Sequence, residues 1–120
     1  GRAPIHASQW MGIAEEVLRR PCDSQVFPGE VPGILNSSVL YVLEDSEGVY
    51  VGESDAIHTR WKVHAQRRKA LKCMRIWRMD NKSEAKRMET ALQKKMLLGG
   101  VVLSSAGDRY NTAFGRNAEV

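Results

Sequence analysis

Cysteine is scarce in this chain of 120 residues, with only Cys22 and Cys73, far apart and outside any Cys-x-x-Cys pair. That spacing argues against a zinc knuckle or a disulfide framework, so both are read as free thiols. Long apolar runs are missing as well: nothing approaches the roughly 18 uninterrupted apolar residues of a membrane helix, and the expectation is a soluble chain with no membrane partner. No charged segment leads into a hydrophobic run at the start, so no secretory signal is read. The first residue is Gly rather than Met, which suggests a piece of a longer chain whose targeting peptide would lie elsewhere. Repeats and low-complexity stretches are absent.

Acid is the most informative absence. Between His58 and Met79 there is no Asp or Glu, whereas Arg60, Lys62, Arg67, Arg68, Lys69, Lys72, Arg75 and Arg78 are all basic, and nine of the fourteen acids precede this block. The net charge of +4 is therefore concentrated rather than spread. A concentrated positive field favours a polyanion, of which a phosphate backbone is the commonest. A solvated helix face is the other reading of a charge run, but Trp61 and Trp77 interrupt this one with the aromatics that nucleic-acid binding employs.

The length suits one domain, and a 42% hydrophobic share is ordinary for a globular fold. In "ASQWMGIAEEVLRRP" the apolar residues Trp10, Ile13 and Val17 recur at helical spacing until Pro21. "PCDSQVFPGEVPGILNSS" holds three prolines and two glycines and reads as irregular chain. Residues 1–38 are thus expected as an N-terminal helix and linker extension on the outside, with the compact domain over 39–120. "VLYVLE" and "GVYVGE", separated by "DSE", predict a β-hairpin. A helix is expected from about Asp55 to Lys69, capped by Ser54, with Ile57, Trp61 and Ala65 inward. "KCMRIWRM" predicts a third strand. "DNKSEAKRMETALQKKMLLGG" predicts a helix capped by Ser83, with Ala85, Met88, Leu92 and Met96 inward and Gly99 and Gly100 ending it. The tail from 101 onward is expected to add a short strand or turn. The sum is an α/β (α+β) sandwich, a small sheet carrying a β-hairpin and flanked by helices.

The hairpin and the helix after it carry a pattern: Tyr41 in "LYV", then Tyr50, Val51, Gly52, Ser54, Ile57, Arg60 and His64 in the order Y-V-G-x-S-x-x-I-x-x-R-x-x-x-H. Glu89 follows in "AKRMETAL" and Asn111 in "RYN". Over about residues 39–115 this resembles a GIY-YIG nuclease domain, and the chain is most similar to the modules of that family that plants join to a MutS-type mismatch-recognition ATPase in their organelles. One departure is visible: the family's first motif usually opens with glycine, and Val39 stands there.

The resemblance implies a GIY-YIG-type sheet and a metal-dependent endonuclease. Tyr41, Tyr50, Arg60, His64 and Glu89 would be the catalytic set, and Gly52, Ser54 and Asn111 the supporting residues. It also implies a mitochondrial and plastid location, with the rest of a larger MutS-like chain as partner. The chemistry of the residues is compatible with these roles. A carboxylate on or beside an inward stripe costs desolvation unless it is paired or metal-bound, so Glu89 would hold one Mg²⁺ or Mn²⁺, an ion that retains several waters; the alternative is an ion pair with a neighbouring arginine. The planar fork of Arg60 suits a phosphate oxygen. His64, at i+4 from Arg60, would face the same patch, to help deprotonate the nucleophile or to position a tyrosine. A phenol with a reference pKa of about 10 needs nearby positive charge to serve as a base; packing across the hairpin is the other reading of both tyrosines.

Arg60, Lys62, Arg67, Arg68, Lys69, Lys72 and Arg75 are the expected DNA contacts. No recognition helix with a base-contacting set is visible, so the expected partner is DNA read by shape, as branched or junction structures, in mismatch repair or recombination surveillance. The isolated domain is expected to be monomeric. The alternatives are a branched-DNA-binding module that cuts weakly or not at all in isolation, and a protein-interaction domain whose basic face docks an acidic partner.

Overall fold

The structure is a computed structural model and describes residues 7–34, 36–46, 48–68 and 70–104. Its centre is the expected hairpin. Val39–Asp45 and Gly48–Ser54 are rich in Val, Leu and Tyr, which suit a pleated, packed surface, and they pair antiparallel from Val39 opposite Ser54 to Asp45 opposite Gly48. The turn closes when Gly48 N–H donates to Asp45 Oδ1 at 3.1 Å. Gly48 has φ +150°, and a Cβ there would collide with the Val102 carbonyl, so glycine is required on both counts.

In chain order the elements are α1 (Ala7–Leu18), β1 (Ser24–Val26), β2 (Val39–Asp45), β3 (Gly48–Ser54), α2 (Ile57–Arg67), β4 (Leu71–Arg78) and α3 (Lys82–Leu98). The sheet has four antiparallel strands in the order β1-β4-β2-β3. Helices cover both faces, which makes the fold an α+β sandwich. Alternation along the strands sorts side chains into two cores. Leu40, Val42, Val49, Val51 and Trp77 face α1 and α3, through Trp10, Ala14, Leu92 and Met96. Val39, Tyr41, Leu43, Tyr50, Met74 and Ile76 face α2, through Ile57 and Trp61.

Residues 7–34 are part of this body rather than an external extension. Trp10 is 1% exposed and sits in the first core. β1, expected as irregular chain, pairs with β4 because Asp23 anchors the approach: its N–H donates to Ile76 O at 2.8 Å and its Oδ2 accepts from Arg78 N–H at 2.7 Å. Ile34 is buried with Tyr41 and Trp61 in the second core.

Helix starts also differ from expectation. Ser54 makes no cap on α2; its Oγ accepts from Ala56 N–H at 2.8 Å in the turn before the helix, and the capping position is Ala56 with no side-chain bond. Asn81 rather than Ser83 caps α3, accepting from Glu84 N–H at 2.8 Å. On α2 the inward stripe is Ile57, Trp61 and His64, with Ala65 exposed. The i, i+4, i+7 spacing faces the sheet, whereas i+8 has rotated out of it. The tail is described to Ser104, where Val49 N–H donates to Val102 O at 3.0 Å and Ser104 N–H to Val49 O at 2.8 Å, adding a parallel bridge to the β3 edge.

Gly52 is where the fold admits no side chain. A Cβ built there would lie 2.6 Å from Tyr41 Cζ and Oη and 2.9 Å from Tyr50 Cε2, and both rings are buried. Gly52→Ala should cost about 1–3 kcal/mol through overpacking, read as a lower urea midpoint at unchanged m-value. Gly33→Ala, where nothing lies within 4 Å, should stay within about 0.5 kcal/mol of wild type. Equal midpoints for the two variants would refute the steric account.

Candidate functional site

Strands β2 and β3 and helix α2 converge on Tyr41. It stands opposite Gly52 on the adjacent strand, and Tyr50, opposite Leu43, lies diagonal to it with ring centroids 6.0 Å apart. α2 lays His64 against both rings, at 5.7 Å from Tyr41 and 5.1 Å from Tyr50. Tyr41 Oη and His64 Nε2 are 3.0 Å apart. The structure thus brings together Tyr41, Tyr50, Gly52 and His64. Val39, at the family's glycine position, is fully buried in the same core as Tyr41 and Ile57, packed into the sheet.

The proton on His64 can be placed by elimination. Arg68 Nε–H lies 3.3 Å from His64 Nδ1, and guanidinium groups only donate, so Nδ1 accepts. In a neutral ring the hydrogen then sits on Nε2 and is donated to the Tyr41 oxygen. The ring is held neutral: its pKa is lowered to about 3, first by burial and then by the charges of Arg68, Arg60 and Arg67. His64 is therefore in no position to take a proton from Tyr41. It holds the phenol oxygen as an acceptor and would stabilise a phenolate there.

Arg68 sets this arrangement. Its guanidinium forms a buried ion pair with Asp45, donates to Ser104 Oγ at 3.0 Å, and lies 5.1 Å above the Tyr50 ring. Arg68 is accordingly not a surface contact for DNA, which corrects that expectation. Arg75 is corrected too: it pairs with Glu44 at 3.3 Å and stacks on Trp10 at 5.0 Å, on the sheet face away from Tyr41. Arg60, Lys62, Arg67 and Lys72 are exposed and form no ion pair among the described residues. Lys69 and Asn111 lie outside the described residues. Arg78 and Arg20 border a cleft of ≈ 330 Å³ between the end of α1 and the start of α3, away from Tyr41.

Glu89 lies in the other layer, on α3. α3 lies along the β3 edge, where Gln93 Nε2–H donates to Val51 O at 3.1 Å. Glu89 Oε2 is buried without a hydrogen-bond partner, and the residue forms no ion pair among the described residues; the expected alternative of an arginine partner is not seen there. Its pKa is pushed up to about 7, chiefly by burial and next by the charge of Glu53. A backbone hydrogen bond from Glu53 and the charges of Lys82 and Lys86 oppose that rise without cancelling it. Glu53 is itself held by Lys82 Nζ at 2.8 Å. No group of three or more His, Cys, Asp or Glu side chains among the described residues could hold a metal. An orphaned carboxylate oxygen fits a hard cation bound through one carboxylate and waters, which is how Mg²⁺ is commonly held.

Sequence reasoning missed Asp45, Ser104, Glu53 and Lys82. Glu53 carried a faint signal, an acid beside Gly52 in an otherwise apolar strand. The others are marked only by tertiary contact. Comparison with protein-family models, with curated proteins and with solved structures finds no match. Among the described residues no helix is long and apolar enough to cross a membrane.

The sign of the His64 effect is testable. Its folded pKa lies below its ordinary 6.5, so between about pH 3 and 6.5 the unfolded chain binds a proton that the folded chain refuses. The contribution of His64 to stability should be complete above pH 6.5 and fall as pH drops through that window, by up to about 1.4 kcal/mol per unit. Glu89, raised to about 7, titrates with the opposite sign over much of this window, so the comparison is made in Glu89→Gln. The urea midpoint of that variant should be lower at pH 5 than at pH 7, and the difference should vanish when His64→Gln is added. Imidazole ¹⁵N spectra of wild type should report the Nε2–H tautomer. A Nδ1–H tautomer would overturn the assignment.

Proposed function

We propose that the chain is a GIY-YIG-type domain that binds branched DNA and, with one divalent ion on Glu89, hydrolyses a phosphodiester bond. The observation that carries this reading is the Tyr41, Tyr50 and His64 cluster over Gly52, beside a helix whose outward cations Arg60, Lys62 and Arg67 form no ion pair among the described residues. Arg60 and Arg67 share one exposed side of α2 and Lys62 lies beyond Trp61 on the other; exposed cations of this kind suit the phosphate backbone, whose binding releases counterions. Arg60 is the residue best suited to clamp a phosphate, being exposed and four residues before His64.

Within the site, each side chain has a separable task. Gly52 leaves room for the two phenol rings to lie side by side. His64 Nε2–H fixes the Tyr41 oxygen, and Arg68 fixes His64. The guanidinium over Tyr50 would lower the cost of a phenolate there, so Tyr50 is the better placed of the two to take a proton from an attacking water. Glu89 would hold Mg²⁺ or Mn²⁺, which when bound supplies positive charge at the phosphate and acidifies a bound water. An organellar setting within a larger MutS-like chain belongs to the same proposal and rests on the sequence resemblance alone.

A second reading, branched-DNA binding with little or no cutting, is favoured by one specific observation. Tyr41 is 0% exposed and His64 1%, so neither touches a phosphate in this conformation, and Val39 fills the place of the family glycine.

Two experiments separate the readings. End-labelled four-way junction and linear duplex, incubated with the 120-residue chain in Mg²⁺ and resolved on native and denaturing gels, should show junction-selective nicks that vanish in Glu89→Ala. A junction-selective shift without nicks in either protein would establish the second reading, and no preference for the junction would refute both. For the binding face, replacing Arg60, Lys62 and Arg67 together with alanine should weaken affinity severalfold at moderate salt. The slope of log K against log salt should also become shallower by about 0.9 for each phosphate that is no longer neutralised. An unchanged slope would remove α2 from the interface.

A further inference from the structure

The segment VFPGEVPGI, residues 26–34, has a structure out of proportion to its place before the first long strand. Pro28 and Gly29, the latter at φ +92°, occupy the middle of a tight turn closed by Glu30 N–H donating to Phe27 O at 2.9 Å. The Glu30 carboxylate closes the turn a second time by accepting from Phe27 N–H at 2.8 Å. The Glu30 carbonyl then accepts from Trp61 Nε1–H at 2.8 Å, which docks the turn on α2. Val26 before it and Ile34 after it are buried in the core that holds Tyr41, Tyr50 and Trp61. The segment is thus anchored at both ends and in the middle.

Beside the exposed Glu30, this rigid turn presents two apolar side chains to solvent: Phe27 is 47% exposed and Val31 70%. A single exposed apolar side chain is ordinary. Here two of them flank one doubly closed turn, next to the helix whose neighbouring side chains Arg60 and Lys62 project about 100° to either side of Trp61. We propose that the Phe27–Val31 turn is a wedge that stacks on an unpaired base of branched DNA while the flanking phosphates lie on the cations of α2. The inference rests on the DNA reading above and adds to it the element that selects branches over plain duplex.

Three physical reasons favour that occupant. Every base offers a π-face, so one aromatic side chain can stack without reading sequence. Apolar side chains are the usual wedges where proteins unstack or hold open a base step. A turn already locked in shape loses little conformational freedom on binding.

The test uses the 120-residue chain and a flap substrate carrying 2-aminopurine at its first unpaired position, with linear duplex as the comparison at equal salt. Wild type should change the 2-aminopurine fluorescence, and Phe27→Ala should lose that change. Branched-DNA affinity of Phe27→Ala should fall on the order of tenfold, while affinity for linear duplex stays within about twofold. Phe27→Trp should restore both signals, and thermal midpoints should match because the side chain is exposed. A Phe27→Ala variant that keeps its branched-DNA affinity, or that weakens equally on both substrates, overturns the wedge and leaves the DNA reading standing. Wild type that binds neither substrate overturns both.

Discussion

The buried ion pair between Asp45 and Arg68 organises the site side of this fold. Two charges taken from water into a packed interior cost several kcal/mol each, offset only when every remaining donor and acceptor is used. That condition dictates the neighbourhood. Asp45 spends its second oxygen on the Gly48 N–H and so shapes the hairpin turn. Arg68 spends its other donors on His64 and Ser104 and lays its face over Tyr50. One pair thus ties the end of α2 to the hairpin, to the segment after α3, and to the ring that orients Tyr41. With one partner gone the other would be an unpaired buried charge, so these elements hold their places together.

The division of labour between the two faces of the sheet follows from strand alternation. The face toward α1 and α3 is aliphatic and indole, and there Arg75 is absorbed into packing against Trp10 and pairing with Glu44. The face toward α2 carries both phenols and the histidine. At the β3 edge, Glu89 and Glu53 sit under partial burial with Lys82. A carboxylate kept near neutrality by its surroundings is ready to gain from a cation, because binding removes the penalty that raised its pKa. In the proposed reading this is why one acid on α3 suffices, and why the phenols are supported from the opposite side by a neutral imidazole rather than by a second charge.

Residues 21–34 change the picture of the chain from a domain with a leader to a single body. Three prolines and two glycines in a polar context carry no periodic signal. The strand at 24–26 exists because the β4 edge supplies its partners and Asp23 its anchor. The turn at 27–30 exists because Trp61 offers an indole N–H that must be satisfied when buried. Both are consequences of neighbours distant in sequence.

By itself the sequence determined the hairpin, the two helices that follow the strands, the glycine two residues after Tyr50 and the acid-free block. These are short-range features, written in alternation, helical period and local charge. Tertiary structure alone decided which cations are free. Arg68 and Arg67 are adjacent and chemically alike, yet one is buried on Asp45 and the other is exposed, because Arg67 ends α2 on its solvent side and Arg68 follows it in extended backbone toward the hairpin turn. It also decided that His64 rather than Ala65 faces inward, that its proton sits on Nε2, and that Glu89 has an oxygen without a partner. Each depends on which groups from other elements arrive within about 3 Å, the reach of a hydrogen bond, and no local pattern encodes that.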